Sequence, residues 1–167
     1  MSEEPSGIQA GEVGDVILIH VEGKGTHLNS HLLKQYFLQC LDENHWFFQI
    51  DLSRCNYMDS TFLGMLAGVG SKVKERSLPP IQLINPTERV RGMLESLGID
   101  HLFEMTQGDI SSIPLNPLPE HKISKEAKSY EMLEAHEKLA EVFPRNKARF
   151  SDVIALLRKK SSKSDVS

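Results

Sequence analysis

Hydrophobic positions along this chain change period repeatedly, and each change predicts an element. Val16-Ile-Leu-Ile-His-Val21 is a continuous apolar run rich in β-branched residues between Gly14 and Gly23, the pattern of a buried strand. Ile8 to Ala10 before it predicts a short edge strand, with a turn over Gly11 to Asp15. From Leu28 to Leu41 the apolar residues Leu28, Leu32, Leu33, Tyr36, Phe37, Cys40 and Leu41 recur at three and four, which predicts an amphipathic helix. Trp46 to Ile50 returns to the pattern of a buried strand.

A second helix carries Phe62, Met65, Leu66, Val69 and Val73 and stops before Pro79-Pro80. Gly64, Gly68 and Gly70 weaken it by about 1 kcal/mol each relative to Ala; residues this small are expected to let it approach the sheet closely. Ile81-Gln-Leu-Ile84 is the third central strand. Asn85-Pro86-Thr87-Glu88 then reads as a helix start, with Asn85 capping, Pro86 at the first helical position and Glu88 reaching back. Val90, Met93, Leu94 and Leu97 form its stripe, Gly98 its stop, and His101 to Met105 a last short strand.

Strands alternating with helices indicate an α/β fold: a mixed sheet of four to five strands flanked by helices. It spans residues 8–108, after a flexible leader over 1–7. Three prolines between Ile113 and Pro119 predict an extended linker over 109–123. Helix resumes over 124–160, with Ser124 as cap and Tyr130, Leu133, Ala140 and Phe143 near one face. After Pro144, the residues Phe150, Val153, Ile154 and Leu157 make a clean stripe, so this extension reads as a C-terminal helical hairpin; 161–167 reads as a frayed tail. Neither stripe is stable alone in water, so the hairpin must pack on the body, on a second copy as a homodimer, or on a partner.

Charge refines the picture. Residues 1–119 carry 8 Lys and Arg against 15 Asp and Glu, while 120–167 carry 11 against 8. An acidic body disfavours nucleic acid, whose phosphates require clustered basic residues. No apolar run approaches the roughly 20 residues that span a bilayer, so no membrane insertion is expected. The N-terminus is acidic and unlike a signal peptide. Cys40 and Cys55 fit no metal spacing and read as buried or semi-buried free thiols of a reducing, cytoplasmic compartment.

Candidate chemistry concentrates in Asp51-Leu-Ser-Arg-Cys-Asn-Tyr-Met-Asp-Ser-Thr-Phe-Leu-Gly-Met-Leu66, where a strand hands over to a helix at Asp59-Ser60-Thr61. A helix N-terminus offers unpaired N–H groups and a partial positive charge. A phosphate placed there on a hydroxyl is stabilised, and it brings about −1.5 to −2 charges beside Asp59. Two readings follow: Asp59, Ser60 and Thr61 only cap the helix, or they form a switch on a docking surface. No catalytic pair, phosphate-binding glycine loop or nucleophile elbow is present, so no enzyme or cofactor is expected. His27 and His31 have a helical chelating spacing without a third ligand. They read as a solvated helix start, not a metal site.

Asn56-Tyr-Met-Asp-Ser-Thr-Phe-Leu-Gly64, after Phe47-Phe-Gln-Ile-Asp-Leu52, resembles the STAS domain family, and within it the bacterial anti-sigma factor antagonists with their motif Met-Asp-Ser-Ser/Thr-Gly-Leu-Gly. Ile81-Gln-Leu-Ile-Asn-Pro and Met93-Leu-Glu-Ser-Leu-Gly-Ile-Asp-His-Leu-Phe103 fit the same pattern. The resemblance implies transcription regulation by partner switching. The unphosphorylated protein binds an anti-sigma factor that is also a serine kinase. The kinase phosphorylates the residue matching Ser60, with Thr61 as secondary candidate, and a PP2C-type phosphatase reverses it. Asp59, Ser60, Thr61 and Phe62 would be the partner-binding residues. Free-standing members also serve as subunits of membrane lipid-transport ATPase complexes, which implies an alternative of constitutive binding to a transporter ATPase. Phe62 departs from the family glycine and is either core or an exposed anchor.

Overall fold

The computed structural model describes residues 7–110, 112–120 and 122–165. Its elements run β1 (Ile8–Val13), β2 (Val16–Val21), β3 (Gly23–Gly25), α1 (Ser30–Asp42), β4 (Phe47–Asp51), β5 (Cys55–Met58), α2 (Ser60–Glu75), β6 (Ile81–Ile84), α3 (Glu88–Ser96), a 3-10 turn (Asp100–Leu102), β7 (Phe103–Thr106), β8 (Asn116–Pro117), α4 (Lys125–Val142) and α5 (Asn146–Asp165). The main sheet has the order β7-β6-β4-β2-β1-β8, and β3 and β5 form a separate parallel pair. β2, β4, β6 and β7 are parallel; β1 joins β2 as an antiparallel hairpin, and β8 pairs antiparallel with β1.

The α/β architecture and the helical hairpin stand as read, and the differences have local causes. The sheet has six strands, and the short β3, β5 and β8 carry too few residues to show a period. β1 is not an edge, because Gln9 and Ala10 pair with Pro117 and Asn116. The proline-rich stretch is therefore extended but held: Leu118 N–H donates to Ile8 O at 3.0 Å, and Leu118 is buried in the core. Gly11 permits this close approach, since a Cβ there would lie 2.6 Å from Pro114 O.

Element starts moved as well. Leu28 lies before α1 and is 69% exposed, and Trp46 lies before β4 and is 51% exposed. Thr87, not Asn85, caps α3, its Oγ1 accepting from Val90 N–H at 3.2 Å. Asn85 instead takes a left-handed conformation (φ 53°) and clasps the Gly108 backbone with both ends of its amide. Gly98 ends α3 as expected. At φ 65° its N–H reaches Glu95 O and that of Ile99 reaches Leu94 O, a Schellman closure.

The sequence reading ends the last helix at 160, whereas α5 continues to Asp165; residues 166 and 167 of the expected frayed tail, and 1–6 of the expected leader, lie outside the described residues. Tyr130 is 61% exposed and off the buried face of α4. That face is Leu133, Ala135, His136, Leu139 and Ala140. Leu139 joins the main core, while Leu133 and Ala140 form a second apolar cluster with Ile154 and Leu157 of α5. The hairpin thus packs on the body of its own chain, along α2.

Candidate functional site

Two backbone features deliver the Asp59-Ser60 corner. β5 runs parallel to β3 with Met58 opposite Gly25, and the Asp59 N–H then donates to Gly25 O at 2.9 Å. The chain turns into α2 with Asp59 as its cap. Asp59 Oδ1 accepts from Phe62 N–H at 2.8 Å, while Oδ2 accepts from His27 N–H at 2.8 Å and lies 3.2 Å from His27 Nδ1. The carboxylate therefore sits where the positive end of the helix stabilises it, and it ties the β3–α1 turn to α2.

Ser60 is the first residue of α2 and is partly buried. Its Oγ lies 2.8 Å from Nε2 of His136, on α4. His136 Nδ1 lies 2.6 Å from Met132 O. A carbonyl can only accept, so Nδ1 carries a proton; in the neutral imidazole Nε2 is then the acceptor and the Ser60 hydroxyl donates. The pair has the donor order of a serine–histidine nucleophile, but His136 is only 3% exposed and meets the Phe150 ring edge-on at 5.2 Å. The imidazole is thus walled in and acts as a latch on Ser60. Sequence reasoning missed His136. The signal was a histidine three residues after Leu133 and four before Ala140, on the apolar stripe itself.

Thr61 is buried and lines a cleft of about 290 Å³ between α1, α2 and α4, together with Lys34, Gly64, Lys72, Glu134 and Lys138. Phe62 is fully buried in the core, which settles the departure from the family glycine in favour of packing. Of the expected partner-binding set, Asp59 and Ser60 lie partly exposed at the corner, Thr61 is buried in the wall of the cleft, and Phe62 is in the core. Ser60 also borders a shallow groove with Tyr57, Met93, Arg89 and Arg149, in which the Arg89 guanidinium stands 5.5 Å from the Tyr57 ring centre.

The glycines of α2 serve different neighbours. A Cβ on Gly64 would lie 2.3 Å from Ala135 O, so Gly64 lets α4, not the sheet, come close. Gly70 faces Phe103 and Leu102 on the sheet side, and Gly68 faces open space. His31 is buried in α1 and is not a solvated partner of His27. Cys40 and Cys55 are free thiols, both buried. No cluster of metal-ligating side chains occurs among the described residues, and no described helix is long and apolar enough to cross a membrane.

A mixed sheet with parallel crossovers and an acid-capped second helix that begins on a serine define a small α/β domain. The family model described as "Mlab, STAS domain" matches residues 8–106, and the chain belongs to the STAS domain family. Among solved structures, a candidate anti-sigma factor antagonist from Thermotoga maritima is 22% identical with a TM-score of 0.55, covering 62% of this chain and 88% of its own. The anti-sigma factor antagonist SpoIIAA in its unphosphorylated form is 16% identical with a TM-score of 0.50, covering 62% and 89%. The phosphorylated form, from Bacillus, gives 16% and 0.52, covering 62% and 92%. At these identities the likeness is one of fold. No curated protein sequence matches.

Proposed function

We propose that the chain is a regulatory protein-binding module without catalytic activity: an anti-sigma factor antagonist that binds an anti-sigma factor acting as a serine kinase and is switched off by phosphorylation of Ser60. The observation that carries this reading is the corner itself. A serine stands first in α2 beside its capping carboxylate Asp59, at the end of β5, in a STAS-family domain. A phosphate on Oγ would meet the N-terminal dipole of α2 and face the groove bordered by Arg89 and Arg149. Its charge beside Asp59 would repel a partner docked on this corner. A PP2C-type phosphatase would restore the hydroxyl.

The engaged hydroxyl favours a second reading. Ser60 is already bonded to His136, so a subunit of a lipid-transport ATPase complex could use this domain constitutively, with Ser60 fixing α4 in place. Wild-type, Ser60→Ala and Ser60→Asp proteins used as baits in a lysate of the source organism separate the two. Partner switching expects a serine kinase captured by the first two and lost with Ser60→Asp. A transporter ATPase captured equally by all three overturns it.

A further inference from the structure

We infer that the α4–α5 hairpin is a detachable cover over Ser60 and the Gly64 face of α2, so that the chain's own hairpin is the first occupant of its partner surface. This rests on the proposed role of Ser60 and adds a condition: the hydroxyl, partly buried and held by His136, is released when the hairpin lifts.

Three observations carry it. The contact is close and specific, with Gly64 against the Ala135 backbone and Ser60 bonded to His136, so no second helix fits on this face while α4 is there. The contact is also polar for a core. It holds a buried histidine and a buried Asn146, whose Nδ2 donates to Leu97 O and Leu139 O at 2.9 Å each. Its rim pairs, Lys34 with Glu134 and Arg149 with Ser96, are exposed. Finally, the hairpin keeps an apolar cluster of its own in Leu133, Ala140, Ile154 and Leu157, beside Leu139, Val142 and Phe150, which pack on the main core. It can therefore leave as a unit, with its internal seam intact, and the family match ends before it, at residue 106.

Chemical access at position 60 tests the cover in the full-length chain. Ser60→Cys puts a thiol at a helix start, where thiolate is favoured and reaction with an aromatic disulfide reagent is fast once exposed. Cys40 and Cys55, buried in the main core, report whether the domain itself has opened. The sites of labelling are read by peptide mass mapping. The thiol introduced at 60 is expected to label at least ten-fold more slowly than a free thiol. Adding Asn146→Ala or Phe143→Ala, whose side chains hold the hairpin to Leu97 and Gly98 away from Ser60, is expected to speed it at least ten-fold while Cys40 and Cys55 stay unlabelled. Three outcomes overturn the inference: free-thiol speed with the hairpin intact, a rate unchanged by both hairpin variants, or labelling of all three thiols in step. No kinase enters the measurement, so its failure is separate from failure of the lysate capture.

Discussion

The Phe62 ring lies against Gly25 so closely that a Cβ on Gly25 would stand 2.6 Å from the ring. The bulky residue that replaces the family glycine in α2 is thus accommodated by a glycine on a different element, β3. Gly25→Ala is expected to lose about 1–3 kcal/mol through overpacking. Phe62→Leu in the Gly25→Ala background should recover part of that loss, although alone it destabilises. Urea unfolding of the two single variants and the double variant measures the coupling, and additive losses would contradict the contact.

Two glycines one helical turn apart should respond with opposite signs. In an exposed helix, Gly→Ala stabilises by about 1 kcal/mol. Gly68 has nothing within 4 Å of a Cβ, so Gly68→Ala should raise the unfolding midpoint. At Gly64 the same change drives a methyl into the Ala135 carbonyl, and a net loss is expected. Thermal unfolding of both variants decides it.

Asp59→Ala removes the α2 cap and the His27 backbone contact together, and a loss of about 0.5–2 kcal/mol is expected from the cap. Asp59→Asn keeps an oxygen for Phe62 N–H and should recover most of it. Denaturant titration compares them, and equal losses would show that charge, not the hydrogen bond, matters at this corner.

Alkaline conditions should weaken the fold through Cys40. Burial, with Glu43 and Glu12 adding to it, pushes its thiol up to about 11, although the Tyr36 hydroxyl opposes the shift. An unfolded thiol ionises near pH 8.5. Above that pH the unfolded chain releases a proton that the folded one keeps, so stability is level below about pH 8.5 and falls as pH rises toward 11. Burial raises Cys55 and Tyr36 in the same sense. Cys40→Ala should lower stability at neutral pH yet flatten its fall between pH 8.5 and 11 in denaturant titrations.

The elements with a continuous apolar run or a helical stripe were legible in the sequence: β2, α1, β4, α2, β6, α3 and the stripe of α5. Asp59 and Ser60 were legible because a strand end followed by an acid and a hydroxyl is a local signal. What escaped depended on distant contacts. β8 exists because Asn116 and Pro117 meet β1 a hundred residues earlier in the chain. Asn85 left its expected cap because Gly108 offered its backbone groups a better match. His136 was invisible as a partner of Ser60 because 76 residues separate them. Gly64 was read as letting α2 approach the sheet, whereas it is α4 of the docked hairpin that comes close.

The pinning of Leu118 beside Ile8 also sets how the hairpin behaves as a tethered ligand. Only five residues of chain, 119–123, separate Leu118 from the α4 cap Ser124, a reach of about 20 Å. A tether this short holds a lifted hairpin at an effective concentration on the order of millimolar. An outside protein present at micromolar levels must therefore bind the α2 face roughly a thousand-fold more tightly than the hairpin does to hold half the molecules. β8, the shortest strand of the sheet, thereby sets the threshold for competition at a site on another element.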